Sequence, residues 1–356
     1  MDHEVWRAGD VLMTSNFKLL SATALGMVAA CATVPIYGDP AVSVSATAQT
    51  EPVGTANEDA ADDPAIWRNK SDPAASLIVA TDKKAGLYVY DLEGNVRSFL
   101  RAGLLNNVDL ITLDDGMVLV AASDRGDPVN AKILLASLDT TTGTLSEITR
   151  VDAGQGEAYG FCMGETLEDG SVTMYSPIKD GRIALNIVKR DADGWSSETN
   201  TFASVPTQPE GCVFDPRTRS LYVGEEVAGI WRFDVDTGEG DLVAAVDNKT
   251  LVADVEGLAL APEGKDGGYL VASSQGDNAY AVYALPDMKA VGRFRIGESA
   301  VGSAEETDGI ELALGDFGPA YPNGLFVAQD GDNRPEAQNF KMVSWQSILE
   351  AVKRGE

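Results

Sequence analysis

Residues 77–91 read L-I-V-A-T-D-K-K-A-G-L-Y-V-Y-D: an apolar run ending in small and polar residues, a charged loop, a second alternating run and an acidic turn. Short runs rich in Val, Leu, Tyr and Phe, bounded by Gly, Asp and Asn, favour strands over helices. The same unit returns as M-V-L-V-A-A-S-D-R from Met117 and S-V-T-M-Y-S-P-I-K-D-G from Ser171. It returns again as L-Y-V-G-E-E-V-A-G-I-W-R-F from Leu221, G-Y-L-V-A-S-S-Q-G-D-N-A-Y-A-V-Y from Gly268 and G-L-F-V-A-Q-D-G-D-N from Gly324. The starts lie 40, 54, 50, 47 and 56 residues apart. Ahead of each copy stands a second signature with a Gly or a carboxylate: D-D-P-A-I-W at Asp62, N-N-V-D at Asn106, E-A-Y-G-F at Glu157, P-E-G-C at Pro209, D-V-E-G-L at Asp254 and T-D-G-I at Thr307. Six β units at this period predict an all-β, six-bladed β-propeller, each blade a four-stranded antiparallel sheet around a central channel. A long β-sandwich does not explain six equivalent copies. Ser344–Lys353 is the convincing helical stretch, a short C-terminal cap, so residues 56–353 form one domain.

Lys plus Arg number 27 and Asp plus Glu 55 in 356 residues, a net charge of −28. A chain this acidic has no footprint for nucleic acid or an anionic membrane, whereas its carboxylates suit hard cations. The one histidine, His3, precedes the folded part. That excludes Ser-His-Asp and Cys-His catalysis, histidine-ligated zinc and a phosphohistidine intermediate.

Leu19 to Ala30 is a charge-free run of twelve residues behind Lys18, too short for a membrane span but suited to the apolar core of a secretory signal. An acidic stretch follows Met1, so translation is expected to start at Met13. Residues 1–30 read as a leader, and V-A-A-C at Val28–Cys31 resembles a lipoprotein box with Cys31 lipidated. The other reading is cleavage after Ala46-Thr47-Ala48. Residues 31–55 read as a flexible tether. The protein is therefore expected to be an exported monomer, in the periplasm, outside the cell or on the outer membrane, touching lipid only through Cys31. Cys162 and Cys212 remain as either one disulfide or two buried thiols.

In a propeller, equivalent loops emerge at one end of the channel. Read in order, those loops carry Lys83-Lys84, Arg125, Lys179, Glu225-Glu226, then Gln275, Asp277 and Asn278, then Asp330, Asp332 and Asn333. The preceding signatures add Asp62, Asp63, Asp109, Glu157, Tyr159, Glu210, Asp254, Glu256 and Asp308. A rim basic on one half and acidic on the other suits an anionic substrate bridged to the protein through divalent metal. Oxygen-only ligation favours calcium over magnesium or manganese. Against this stand plainer readings. Glu225-Glu226 fits a solvated hairpin, a single Lys or Arg fits a surface charge, and Asp277, Asp330 and Asp332 fit Asx turn-formers. D-G-D-N at Asp330 resembles half an EF-hand loop, but Lys341 stands at its twelfth position.

Taken together and in order, these motifs from about Asp59 to Trp345 resemble the β-propeller phytases. The resemblance implies a phosphomonoesterase that uses several calcium ions to hydrolyse myo-inositol hexakisphosphate to lower inositol phosphates and orthophosphate. It implies Asp62, Glu210, Glu225, Glu226, Asp254, Glu256 and Asp308 as calcium ligands in the active site and Asp63 as a ligand of a structural ion. Lys83 or Lys84, Arg125, Tyr159 and Lys179 are implied to grip phosphate oxygens. The mechanism expected from this is direct attack of a metal-bridged water on phosphorus, with Glu225 or Glu226 orienting the water and Lys83/Lys84 and Arg125 neutralising developing charge. Phytate is a polyanion that this chain repels unless bound calcium reverses the local sign. The competing readings are a calcium-dependent lactonase-type propeller, which needs fewer cations, and a non-catalytic calcium-stabilised binding propeller.

Overall fold

The computed structural model describes residues 37–355, and each repeat unit becomes one sheet of a six-bladed propeller. Blade 1 pairs Ala61–Trp67, Leu77–Asp82, Gly86–Tyr90 and Val96–Arg101 antiparallel in chain order. The runs that open the repeats are the second strands: Leu77–Asp82, Val118–Asp124, Val172–Pro177, Ser220–Glu225, Gly267–Ser274 and Gly324–Asp330. Leu77–Asp82 is buried at every position. A sheet covered on both faces needs apolar residues on both sides of the pleat, hence runs rather than strict alternation.

The core lies between blades, as six apolar clusters, one for each neighbouring pair of sheets. Between blades 5 and 6, Tyr280, Phe294 and Phe326 meet with ring centroids 4.8 to 5.5 Å apart. The helix Trp345–Gly355 adds Trp345, Ile348 and Val352 to that cluster, so it fills an inter-blade core instead of only capping the last blade. The cluster between blades 3 and 4 is the thinnest, with nine buried members against twelve or more elsewhere. It contains the Cys162–Cys212 disulfide, Cα–Cα 5.7 Å, so the two-thiol alternative does not hold.

The ring is closed by the other end of the chain. Ala48–Gln49 pairs antiparallel with Asn339–Ser344 and supplies the fourth strand of blade 6. Val42–Ser45 runs parallel to the outer strand of blade 5, Val42 opposite Phe294. Two buried ion pairs fasten this segment. Arg293 Nη2 lies 2.5 Å from Asp277 Oδ1, while its Nη1 donates to the Asp39 carbonyl at 2.7 Å and the Gly38 amide donates to Asp277 Oδ2 at 2.9 Å. Lys341 Nζ lies 3.0 Å from Asp330 Oδ2 and donates to Gln49 Oε1 at 2.5 Å. The expected tether at residues 31–55 is thus corrected: from about residue 37 the chain belongs to the propeller, because a ring of sheets must be closed by a strand. Cleavage after Ala48 would remove the strand Val42–Ser45 and cut through Ala48–Gln49. The leader, Met13 and Cys31 lie outside the described residues.

Candidate active site

In an antiparallel blade, the start of the first strand and the turn between the second and third share one end. Four first strands carry a β-bulge there, between Ala61 and Pro64, Leu105 and Val108, Pro209 and Cys212, and Val255 and Leu258. Bulges re-aim side chains, and these enclose Asp62-Asp63, Asn106-Asn107, Glu210-Gly211 and Glu256-Gly257. Tyr159-Gly160 and Asp308-Gly309 stand just ahead of the first strands of blades 3 and 6. Each glycine receives the backbone of the next blade. A Cβ on Gly160 would sit 1.9 Å from the Glu210 carbonyl, on Gly211 2.2 Å from the Glu256 carbonyl, and on Gly309 2.5 Å from the Asp62 carbonyl. Without side chains at these steps the blades close up, and the residue preceding each glycine, Tyr159, Glu210 or Asp308, is drawn towards its neighbours.

The result is two overlapping carboxylate groups, Asp62–Glu210–Asp308 and Glu210–Glu226–Glu256, each with oxygens within 4.8 Å of one another. Burial, then Asp62, pushes Glu210 up to about 7. Burial and then Glu210 raise Glu256, burial and then Asp62 raise Asp308, and burial raises Glu226. Lys83 Nζ sits 2.8 Å from Asp59 Oδ2, 2.9 Å from Asp62 Oδ1 and 3.5 Å from Asp308 Oδ2. Burial disfavours its charge, but Asp62, Asp308 and Asp59 outweigh that and its pKa is raised. One ammonium cannot neutralise five carboxylates, and buried charge without a partner is costly. Asp62 Oδ2 and Glu256 Oε2 are buried with no hydrogen-bond partner. An all-oxygen donor set with two orphaned oxygens fits a hard divalent cation.

The structure separates the doublets in the sequence. Glu226 joins the cluster and accepts a hydrogen bond from Gln208 Nε2. Glu225 does not: its Oε1 accepts from the Thr207 amide at 2.7 Å and the Thr207 hydroxyl, and its Oε2 from Trp231 Nε1 at 2.8 Å. Successive residues of an extended chain face opposite ways, so of the two glutamates expected to hold metal and orient water, Glu226 faces the carboxylate group and Glu225 does not. Likewise Lys83 turns inward, whereas the Lys84 side chain is exposed and only its amide is engaged, by Asp82. Asp254 lines a cavity of about 400 Å³ beside the cluster with Asp59, Gln275, Glu306 and Asp308. Asp63 points elsewhere, accepting the Val108 amide at 3.0 Å in a small chamber lower in the channel, shared with Asp109 and Glu311. Asp277 and Asp330 are engaged in buried ion pairs with Arg293 and Lys341, and Asp332 pairs with the exposed Arg334.

Opposite the carboxylates stands a cationic wall. Arg125 Cζ and Lys179 Nζ lie 5.1 and 4.8 Å from the Tyr159 ring centroid. Burial, then Glu210, Glu226, Glu256 and Asp308, raise the Tyr159 pKa and keep its phenol protonated. Glu157, read from sequence as part of the rim, completes the site together with Asn106, Asp59 and Gln208, which were not singled out as functional residues from sequence. Asn106 Oδ1 accepts from Arg125 Nη1 at 2.7 Å, and its Nδ2 donates to Glu210 Oε1 at 2.6 Å. The signal for it was its repeat position, equivalent to Asp62, Glu210 and Glu256.

Residues 9–355 match the family described as Phytase. A 3-phytase of Bacillus subtilis is 37% identical over 329 residues, covering 86% of this chain and 85% of that protein. A pre-rRNA-processing protein of Schizosaccharomyces pombe is 28% identical over 204 residues, 53% of this chain and 44% of its own. Among solved structures, the calcium-binding protein regucalcin from Agrobacterium tumefaciens superposes with a TM-score of 0.53, covering 85% of this chain and 95% of its own. At 15% identity that likeness is one of fold alone.

Proposed function

The chain belongs to the phytase family, and from that premise we propose that it hydrolyses phytate as a calcium-dependent phosphomonoesterase, by direct attack of water on phosphorus. The observation that carries the reading is the buried carboxylate ring with its orphaned Asp62 and Glu256 oxygens, faced by Lys83, Arg125 and Lys179. Asp62, Glu210, Glu226, Glu256 and Asp308 would hold calcium, with Asp254 at the lip. Bound there, calcium supplies positive charge that offsets the acidic wall and polarises phosphoryl oxygen.

The chain's own side chains do the rest. Lys83 and Arg125 neutralise charge growing on the phosphoryl oxygens, and Lys179 holds a neighbouring phosphate. Tyr159, kept protonated, donates a hydrogen bond. Glu226 is less buried than Glu210 and Glu256. It is therefore suited to orient a water molecule and accept its proton, steadied by Gln208. The sequence offers no imidazole for a covalent route, since its one histidine is His3. We also propose that the protein is exported, a reading supported by a disulfide suited to an oxidising compartment.

Phosphate release from phytate, measured with calcium and with excess chelator, tests the function. Calcium-dependent release is expected. Binding of calcium with no release in either condition would replace the enzyme by a binding propeller, and release that survives the chelator would remove calcium from the mechanism.

A further inference from the structure

Glu157 has no part in the chemistry above, yet it is held at the centre of the cationic wall. Ala158 and Ile178 form an isolated antiparallel bridge, and the Lys179 amide donates to the Glu157 carbonyl at 3.2 Å. That backbone places the carboxylate between two cations. Glu157 Oε1 accepts from Arg125 Nη2 at 2.8 Å and lies 3.9 Å from Lys179 Nζ. Arg125 is gripped on its other terminal nitrogen by Asn106, which is tied to Glu210. The guanidinium is thus fixed in place, with a carboxylate where a phosphate oxygen would make the same charge-assisted bond.

We propose that Glu157 is a specificity-determining residue: a built-in anion that occupies Arg125 and Lys179 and must be displaced by an incoming phosphate. With Glu157 the three side chains sum to one positive charge, and without it to two. The carboxylate therefore lowers the affinity of the wall for any single phosphate. A substrate carrying several phosphates engages calcium, Lys83 and this wall together and overcomes the competition, whereas a lone orthophosphate does not. The residue thus favours polyphosphorylated substrates over the released product. This rests on the reading of Arg125 and Lys179 as phosphate ligands.

The test is titration of inorganic phosphate into the calcium-loaded protein by calorimetry, alongside phytate kinetics. In Glu157→Gln, which keeps a hydrogen bond to Arg125 but removes the charge, the dissociation constant and the inhibition constant for phosphate are expected to fall by about three- to fivefold. KM for phytate is expected to fall by less, so that the preference for phytate over phosphate narrows. Glu157→Asp, with a shorter reach, is expected to shift them the same way by less, and gives the sign if the Gln variant fails to fold. Lys179→Met is expected to weaken phosphate binding. If Lys179→Met leaves phosphate binding unchanged, the underlying reading of the cations is wrong. If it weakens binding while Glu157→Gln and Glu157→Asp do not strengthen it, the role of Glu157 is overturned.

Discussion

At Glu226 the carboxylate faces Glu210 and Glu256, while one residue earlier Glu225 is spent on Thr207 and Trp231. The two positions therefore answer differently to the same substitution. Glu226→Gln is expected to lower kcat at least about a hundredfold, the usual worth of a positioned base, with the melting temperature held or raised. Glu225→Gln turns an amide hydrogen towards a donor in blade 4, and is expected to cost about 1–3 kcal/mol of stability while folded molecules keep their turnover. Urea unfolding and kcat on both variants check this, and a dead but stable Glu225→Gln would reverse the assignment. Both doublets, Glu225-Glu226 and Lys83-Lys84, were legible as site elements because they recur at one place in the repeat. Which member turns inward was not, because that depends on where the strand ends and the turn begins.

Strands were legible for a related reason. A blade buried on both faces writes itself as a Val- and Ala-rich run, and six runs at one period leave little choice of architecture. The two N-terminal strands left no such mark. Val42–Ser45 and Ala48–Gln49 are short, rich in small residues and without usable period, and Gln49 meets Asn339 across 290 residues of sequence. Nor does spacing reveal the disulfide, whose loop of 50 residues is closed only because blades 3 and 4 are adjacent. There the apolar cluster is thinnest, so the covalent link stands in for missing packing. Reduction, or Cys162→Ser with Cys212→Ser, is expected to lower stability by about 2–5 kcal/mol, read as a shift of the urea midpoint with and without reductant. An unchanged midpoint would show that packing alone holds that interface.

Across the whole molecule the net charge is −28, and five of the carboxylates meet where the blades converge. The metal-free ring is tolerable only when partly protonated. Glu210 is raised from 4.5 to about 7, so between those values the folded state binds protons that the unfolded chain has lost. The stability that Glu210 contributes is then fully present below pH 4.5 and is lost as the pH rises to about 7, since stability falls wherever the native state holds more protons. Calcium needs the ionised ligands, so its stabilising effect grows over the same range. Melting temperatures in chelator are expected to fall from pH 4.5 to 7, and the gain on adding calcium to widen. A chelated protein that grows more stable across that window would contradict the assignment. The closure of the ring also sets an order of events during synthesis. The segment from Val42 to Gln49 is made before any of the six blades, but its partners belong to blades 5 and 6, which are made last. A nascent chain therefore carries unsatisfied strand edges until the last blades are made, and the ring becomes a closed object only in a final joining step, when strands made before the first blade meet those of the last two.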